Sequence, residues 1–88
     1  MAKLFKVGIE NPTPITLNPS NGKTFTLEEL QEAVGGYVEF VPCAELGVVI
    51  VCDEEGWIKS KPVNEKASFV AMQMLAGDVL FCDQNEIE

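Results

Sequence analysis

The side chains that could do chemistry in this sequence are few and far apart. Tyrosine and tryptophan offer an apolar face with a polar edge, asparagine offers a donor and an acceptor, and a carboxylate can take a proton or a cation. A pair such as Glu39 with Asp78 would suit acid–base catalysis, although nothing in the sequence brings the two together. Five residues are therefore candidates for contact with a ligand or partner: Tyr37, Glu39, Trp57, Asn64 and Asp78.

Each of these candidates also has a structural explanation. Glu39 could face solvent from the middle of a strand, and Trp57 could pack in the core or in an interface. Asn64 could cap a helix, and Asp78 could form a turn. The sequence leaves these alternatives open.

Several catalytic classes are excluded by the residue types that the chain lacks. It has no histidine, and all six of its cationic residues are lysine, so histidine-dependent triads and imidazole-ligated metals are excluded. The cysteines lie in apolar runs without a CxxC pair, which predicts buried, reduced thiols for Cys43, Cys52 and Cys82. Asp53–Gly56 clusters carboxylates but is far shorter than a calcium loop and is typical of a turn. We expect no enzymatic activity, no metal and no cofactor.

The charge of the chain restricts its partners. Fourteen carboxylates against six lysines give a net charge of −8 and a pI near 4.3. Without arginine the chain lacks the planar group that reads guanine edges and grips phosphates, and an acidic surface releases no counterions from DNA or RNA. We therefore expect no direct contact with nucleic acid. The same charge would attract and orient a protein partner with a basic surface.

Length and hydropathy limit the number of domains and the membrane segments that the chain can have. Eighty-eight residues, 47% of them hydrophobic, suffice for one core, so we expect a single domain over residues 1–88. No apolar run approaches the ~20 residues that cross a bilayer. Lys3, Lys6 and Gly8 interrupt the apolar residues at the N-terminal end, so no signal peptide is predicted. We expect no membrane contact and a cytoplasmic location.

The stretch whose local structure the sequence predicts most clearly is Thr26–Val41, TLEELQEAVGGYVEFV. Thr26 and Glu29 have the spacing of a capping box, in which each side chain bonds the backbone amide of the other residue. Apolar residues then recur at helical spacing up to Val34, and Gly35 predicts a left-handed helix end. Gly36 follows directly and leads into a strand.

The remaining pattern predicts an α+β fold, mainly an antiparallel sheet of about five strands with one or two helices packed on it. The run GVVIVC predicts a central strand buried on both faces. Residues 83–88 are acidic and are expected to form a frayed tail. The strand candidates are Lys3–Ile9, Ile15–Leu17, Tyr37–Pro42, Gly47–Cys52, Trp57–Lys59 and Asp78–Cys82.

A second helix is predicted from about Glu65 to Leu75, with Asn64 as its N-cap. Apolar residues cover nearly all of its circumference, so one side of it should meet a partner if the domain cannot bury both. This predicts a homodimer through Ala67–Leu75. A strand across Ser68–Met74 is the alternative interpretation.

The string Thr-Leu-Glu-Glu-Leu-Gln-x-x-Val-Gly-Gly-Tyr-Val-Glu resembles the signature of a small family of unknown function found mainly in bacteriophages, prophages and mobile elements of bacteria. The likeness continues through Val49–Gly56, Pro62-Val63-Asn64, Ala67 and Gly77–Leu80, and departs at Cys43–Leu46 and in the apolar second helix. The resemblance implies the cytoplasm of a bacterial host and an accessory protein that acts against host defence. It makes Tyr37, Glu39, Asn64 and Asp78 the polar positions to follow.

These observations predict a non-enzymatic protein that acts by binding. The first candidate partner is a basic host protein, such as a nuclease or another defence effector, which the chain would occlude. The alternative is a small nucleotide signal that the chain would sequester, held by stacking and by lysines such as Lys59 or Lys61. The third is a structural domain without a host target, and a small enzyme that uses carboxylates alone ranks last.

Overall fold

The computed structural model describes residues 2–7, 14–44, 46–56 and 58–87. Within these residues two α-helices and five strands make up the fold, and a 3-10 turn, Gln84–Glu86, follows the last strand. In chain order the elements are β1 (Ala2–Phe5), β2 (Ile15–Leu17), α1 (Leu27–Val34), β3 (Val38–Cys43), β4 (Val48–Asp53), α2 (Glu65–Ala71) and β5 (Val79–Cys82).

The strands form one sheet in the order β2-β1-β5-β4-β3, and every neighbouring pair is antiparallel. The predicted α+β class, with five strands and two helices, is confirmed. β4 has strands on both sides and buries five of its six residues, as its β-branched run predicts. β3 lies at one edge of the sheet and β2 at the other.

Each helix covers one face of the sheet, because side chains alternate between the faces along each strand. On one face Ala67 and Ala71 of α2 pack against Ile50, Val79 and Phe81. On the opposite face α1 packs against the neighbours of those strand residues, with Leu30 and Val34 against Val51 and Leu80. The rings of Phe5 and Phe81 lie 4.9 Å apart under α2 and close that core.

The predicted ends of α1 are confirmed. Thr26 Oγ1 accepts from the Glu29 amide at 3.2 Å, and Glu29 Oε1 accepts from the Thr26 amide at 2.9 Å. At the other end Gly35 has φ +78° and its amide donates to the Gln31 carbonyl at 2.8 Å. A left-handed residue is needed there, and glycine adopts it without the penalty of a β-carbon.

The second helix is shorter than the sequence predicts. It ends at Ala71, and Met72 takes the left-handed conformation with φ +57°. The Ser68 hydroxyl accepts from the Leu75 amide at 2.8 Å, which turns the chain back toward the sheet. The helix is therefore correctly predicted for Glu65–Ala71, residues 72–75 belong to neither a helix nor a strand, and the strand alternative across Ser68–Met74 is wrong.

Two other segments differ from the sequence-based expectations. Ile58 and Lys59 lie in turns, not in a strand, and residue 57 is outside the described residues. Residues 84–86 form a 3-10 turn instead of a frayed tail, because the Phe25 amide donates to the Glu86 carbonyl at 2.6 Å and Ile87 packs against the α1 side of the core. Of the predicted strand Lys3–Ile9, β1 includes residues up to Phe5, and positions 8–13 are outside the described residues.

Candidate functional site

A buried ionic joint lies where α1, β3 and β4 meet. The Asp53 carboxylate is inaccessible to solvent, and its Oδ2 contacts Lys61 Nζ at 2.6 Å and Lys59 Nζ at 3.0 Å. Its Oδ1 accepts from the Glu55 amide at 2.8 Å. Burial alone would raise the pKa of Asp53, but the hydrogen bonds from Lys61, Glu55 and Lys59 outweigh it and lower that pKa to about 2.

This joint leaves no room for a side chain at Gly36, the second glycine of the pair. Lys61 Nζ also donates to the Val34 carbonyl at 3.0 Å, so it satisfies a carbonyl at the negative end of α1. A β-carbon on Gly36 would come within 2.6 Å of both Asp53 Oδ2 and Lys59 Nζ. Lys59 and Lys61, the lysines named for nucleotide contact, are therefore engaged within the fold.

Asn64 and Asp78 both bind backbone near the C-terminal end of β1. Asn64 is 2% exposed, and its Nδ2 donates to the carbonyls of Phe5 at 2.8 Å and Gly77 at 2.9 Å. Its Oδ1 accepts from the Ala67 amide at 3.1 Å, which confirms the predicted N-cap. Asp78 Oδ1 accepts from the Val7 amide at 3.0 Å. The structure thus brings these two candidates together as braces of the fold.

Tyr37 and Glu39 lie elsewhere, next to and on the edge strand β3, with side chains on the α2 face of the sheet. Tyr37 is 66% exposed, and Glu39 is also exposed. Glu39 lines a cavity of about 180 Å³ between the end of the sheet and the segment after α2. Glu54, Gln73 and Met74 line the same cavity. We call it the acidic cavity, since three acidic residues line it: the exposed Glu39 and Glu54, and the buried Asp53 of the ionic joint.

An exposed apolar surface adjoins this cavity. Phe69 is 85% exposed, Met72 90%, Met74 66% and Val70 37%. We call these four residues the α2 patch; Met74 belongs to both the patch and the acidic cavity. Scattered exposed apolar residues are ordinary, but several on one short segment mark a surface for interaction.

The predicted interface Ala67–Leu75 divides into two sides. Ala67, Ala71 and Leu75 are buried against the sheet within the chain. The exposed side carries the α2 patch, so the outer half of the segment is open to a partner. Phe69, Met72 and Met74 lie within this predicted interface but are not among the five candidate residues; the sequence signal for them is the unusually apolar run after Asn64. Trp57 lies outside the described residues.

A larger cavity of about 360 Å³ separates α1 from β1 and β2. Its walls include the apolar Leu4 and Phe25 and the carboxylates of Glu29, Glu32 and Asp78. Glu29 is used in the α1 cap, where hydrogen bonds from the backbone of Thr26 and Ser20 hold its pKa below the ordinary value. Lys6 also lines the cavity and lies 3.9 Å from Asp78 Oδ2, so three carboxylates against one lysine make the cavity unfavourable for a phosphate.

The cysteines are packing residues. Cys43, Cys52 and Cys82 are all buried, as the sequence predicts. Burial is the first cause that raises the pKa of both Cys52 and Cys82 to about 11, and neighbouring carboxylates add to it. A thiol with such a pKa is a poor nucleophile near neutral pH.

The described residues contain no group of three or more acidic, cysteine or histidine side chains placed to hold a metal ion. Within the same residues, no helix has the length and apolar character to span a membrane.

A family model for a domain of unknown function, DUF3846, matches residues 5–88. The chain belongs to the DUF3846 family. The match covers the ionic joint, both braces of β1, the acidic cavity and the α2 patch. A search of the curated proteins gave no match, and a search of the solved structures gave none either. DUF3846 membership therefore identifies the domain without assigning it an activity.

Proposed function

We propose that this chain acts by binding a protein, and that it does so through the α2 patch and the acidic cavity beside it. Its target would be a basic host protein of a bacterial defence system, which a phage or mobile-element accessory protein would occlude. No catalytic step is involved. The observation that carries the proposal is the contact between the two surfaces: Met74 lies in both.

The patch supplies affinity. Its phenylalanine and methionine side chains are large and apolar, and burying one such side chain contributes about 1.5–3 kcal/mol. Methionine adapts its shape to irregular surfaces, which suits a docking site. Phe69 and Met72 are almost fully exposed, so they can enter pockets on a partner without rearrangement of α2.

The acidic cavity supplies orientation. Glu39 and Glu54 lie at its rim, and its volume of about 180 Å³ is of the size of one long side chain. A lysine or arginine from the partner could place its aliphatic stem against Met74 and its charge between the carboxylates. The overall charge of −8 would accelerate the approach of a basic partner.

The nucleotide alternative has less support. The two lysines expected to hold a nucleotide, Lys59 and Lys61, both contact Asp53. The larger cavity beside α1 carries three carboxylates against one lysine, Lys6. A phosphate would have to displace a buried ion pair or approach negative charge.

Affinity capture from bacterial host lysate tests the proposal, with quantitative mass spectrometry of bound proteins and small molecules. We expect enrichment of proteins with basic surfaces and a loss of that enrichment when the salt rises from about 50 mM to about 500 mM. A thermal-shift screen against linear and cyclic nucleotides tests the alternative. A clear shift with a nucleotide, together with no salt-sensitive protein, would replace the proposal by the nucleotide function.

A further inference from the structure

The free edge of β3 carries a hydrogen-bonding pattern that fits a second copy of itself. β3 pairs with β4 on one side only, and no other described strand lies against its outer edge. In an antiparallel pair, alternate residues direct their backbone groups toward the partner strand and away from it. The Glu54 amide donates to the Tyr37 carbonyl at 2.9 Å. The backbone groups of Tyr37 and of every second residue after it, Glu39 and Val41, therefore point toward β4. The backbone groups of Val38, Phe40 and Pro42 therefore point outward.

Pro42 restricts how this edge can pair. Proline has no amide hydrogen, so the outward groups are two donors, at Val38 and Phe40, and three carbonyl acceptors. Edge prolines and short edges usually limit pairing with other chains. Here the limit falls on one end of β3 and leaves the middle of the strand open.

We infer that two copies of the chain pair antiparallel through β3, on a two-fold axis at Phe40. With Phe40 opposite Phe40 of the second copy, the two residues exchange both of their backbone hydrogen bonds. Val38 then lies opposite Pro42 of the second copy, and the Val38 amide donates to the Pro42 carbonyl in both directions. Four hydrogen bonds form, and none of them needs a hydrogen on proline.

The two neighbouring registers of the β3 pair, centred on Glu39 and on Val41, are less favourable in energy. A shift that centres the axis on Glu39 also allows four bonds, but it sets two Glu39 carboxylates directly opposite each other, which is destabilising. A shift that centres it on Val41 pairs Phe40 with Pro42 and loses the bonds that proline cannot donate. In the register centred on Phe40, each Glu39 faces an uncharged Val41.

Exposed side chains along β3 fit the same register. Phe40 is 43% exposed, and across the axis it meets its own copy as an aromatic cross-strand pair. Tyr37, at 66% exposure, comes opposite Cys43 of the second copy. Phe40 therefore gains an apolar neighbour across the axis.

The two-fold symmetry also determines where the α2 patches and acidic cavities of the two copies lie relative to each other. A two-fold axis between antiparallel edge strands stands perpendicular to the sheet, so the same face of both sheets points in one direction. The α2 patches and acidic cavities of both copies would then lie on one side of a ten-stranded sheet. The contact uses β3 and leaves α2 exposed, unlike a dimer through Ala67–Leu75.

Sedimentation equilibrium at about 100 µM tests the inference. This high concentration is needed because a contact between two edge strands buries less surface than most stable interfaces and is expected to be weak. We expect a dimer with twice the monomer mass of 9.6 kDa. Its affinity should rise with salt, since salt screens the repulsion between two copies of charge −8. Phe40→Glu should shift the protein to monomer. Ile15→Glu, on the opposite edge strand and 44% exposed, and Met72→Glu, on the α2 patch, should leave the dimer intact.

Hydrogen exchange gives a readout that does not depend on variants. Amides of Val38 and Phe40 should become protected as the protein concentration rises, while those of Glu39 and Val41 should be protected at every concentration. A monomer at about 100 µM in high salt would overturn the inference. A dimer that survives Phe40→Glu, or that is lost with Met72→Glu, would also overturn it. All of these outcomes are independent of whether the α2 patch binds a host protein.

Discussion

A β-carbon placed on Gly36 would lie 2.6 Å from Asp53 Oδ2, so the second glycine of the pair is fixed by a carboxylate on another strand. Gly35 is fixed by its own backbone, with φ +78° at the end of α1. The two glycines therefore answer different physical demands, although they are adjacent in the sequence. One terminates a helix, and the other admits a buried ion pair.

Gly36→Ala should destabilise the protein by about 1–3 kcal/mol, the usual cost of overpacking. The β-carbon must push against the Asp53 carboxylate and Lys59, which are held by each other. Urea unfolding measures the loss as a lower midpoint at an unchanged slope. Gly47→Ala is the control: that residue has φ +67° but nothing within 4 Å of its β-carbon, so it reports backbone strain alone, about 1 kcal/mol. A Gly36→Ala variant as stable as the parent would contradict the close approach.

Asp53 should make the stability of the protein depend on acid pH. Its pKa is about 2 in the folded chain against an ordinary value of 3.8, so between these values the unfolded chain binds a proton that the folded chain does not. The stabilisation is therefore complete above about pH 5 and is lost as the pH falls through about 2.

The comparison of parent and Asp53→Asn checks this claim through urea unfolding at a series of pH values. The variant should be less stable at neutral pH by about 2–3 kcal/mol, because Lys59 and Lys61 lose their charged partner. The difference between the two proteins should shrink as the pH falls toward 2. If the difference in free energy of unfolding between the parent and Asp53→Asn stays constant across the acid range, the charge of the Asp53 carboxylate does not contribute to stability.

Asn64 should prove to be a brace of the fold and not a contact for the partner. Asn64→Ala removes three hydrogen bonds to buried backbone, and at about 1 kcal/mol each the protein should lose roughly 3 kcal/mol. Asn64→Asp keeps the acceptor for the Ala67 amide and loses the two donations to the carbonyls of Phe5 and Gly77. It should nevertheless fall below the parent, since a buried carboxylate would then face those two carbonyls.

The readout that separates the two roles is affinity for the partner at a temperature where both variants are folded. An unchanged affinity with reduced stability supports the bracing role. A loss of affinity at full stability would return Asn64 to the functional site.

The sequence predicts well those features that depend on neighbouring residues. The capping box of Thr26 and Glu29, the glycine end of α1 and the Asn64 cap all follow from spacing within a few residues, and the structure confirms each of them. The buried run of β4 follows from its composition.

Features that depend on distant residues could not be predicted in this way. Asp53 is one of three acidic residues in a row, and only the fold shows that Lys59 and Lys61 enclose it while Glu54 stays exposed. The acidic C-terminal end gave no sign that the Phe25 amide would bind its backbone. α2 ends early, at Ala71, and the Ser68 hydroxyl then accepts from the Leu75 amide, a bond across seven residues that has no sequence signature.

The candidate site shows the same division. The residue types of Glu39 and Tyr37 make them candidates, and Glu39 does line a cavity. Asn64 and Asp78 are candidates on the same grounds, but their polar atoms bond the backbone of β1 and of the residues next to it. The α2 patch lies within Ala67–Leu75, which the sequence predicts as a dimer interface, but only the structure separates its exposed side chains from the buried Ala67, Ala71 and Leu75.

The most direct measurement of the proposed function compares three proteins in quantitative affinity capture from host lysate: the parent, Met72→Glu and Leu27→Glu. Met72 is 90% exposed in the α2 patch, whereas Leu27 is 53% exposed on α1, which covers the opposite face of the sheet. Both substitutions add one negative charge, so only the place of the charge differs. We expect basic proteins to be retained by the parent and by Leu27→Glu, and to fall at least about tenfold on Met72→Glu, as the loss of one central contact predicts. Equal capture by all three proteins would contradict the assignment of the α2 patch as the binding surface.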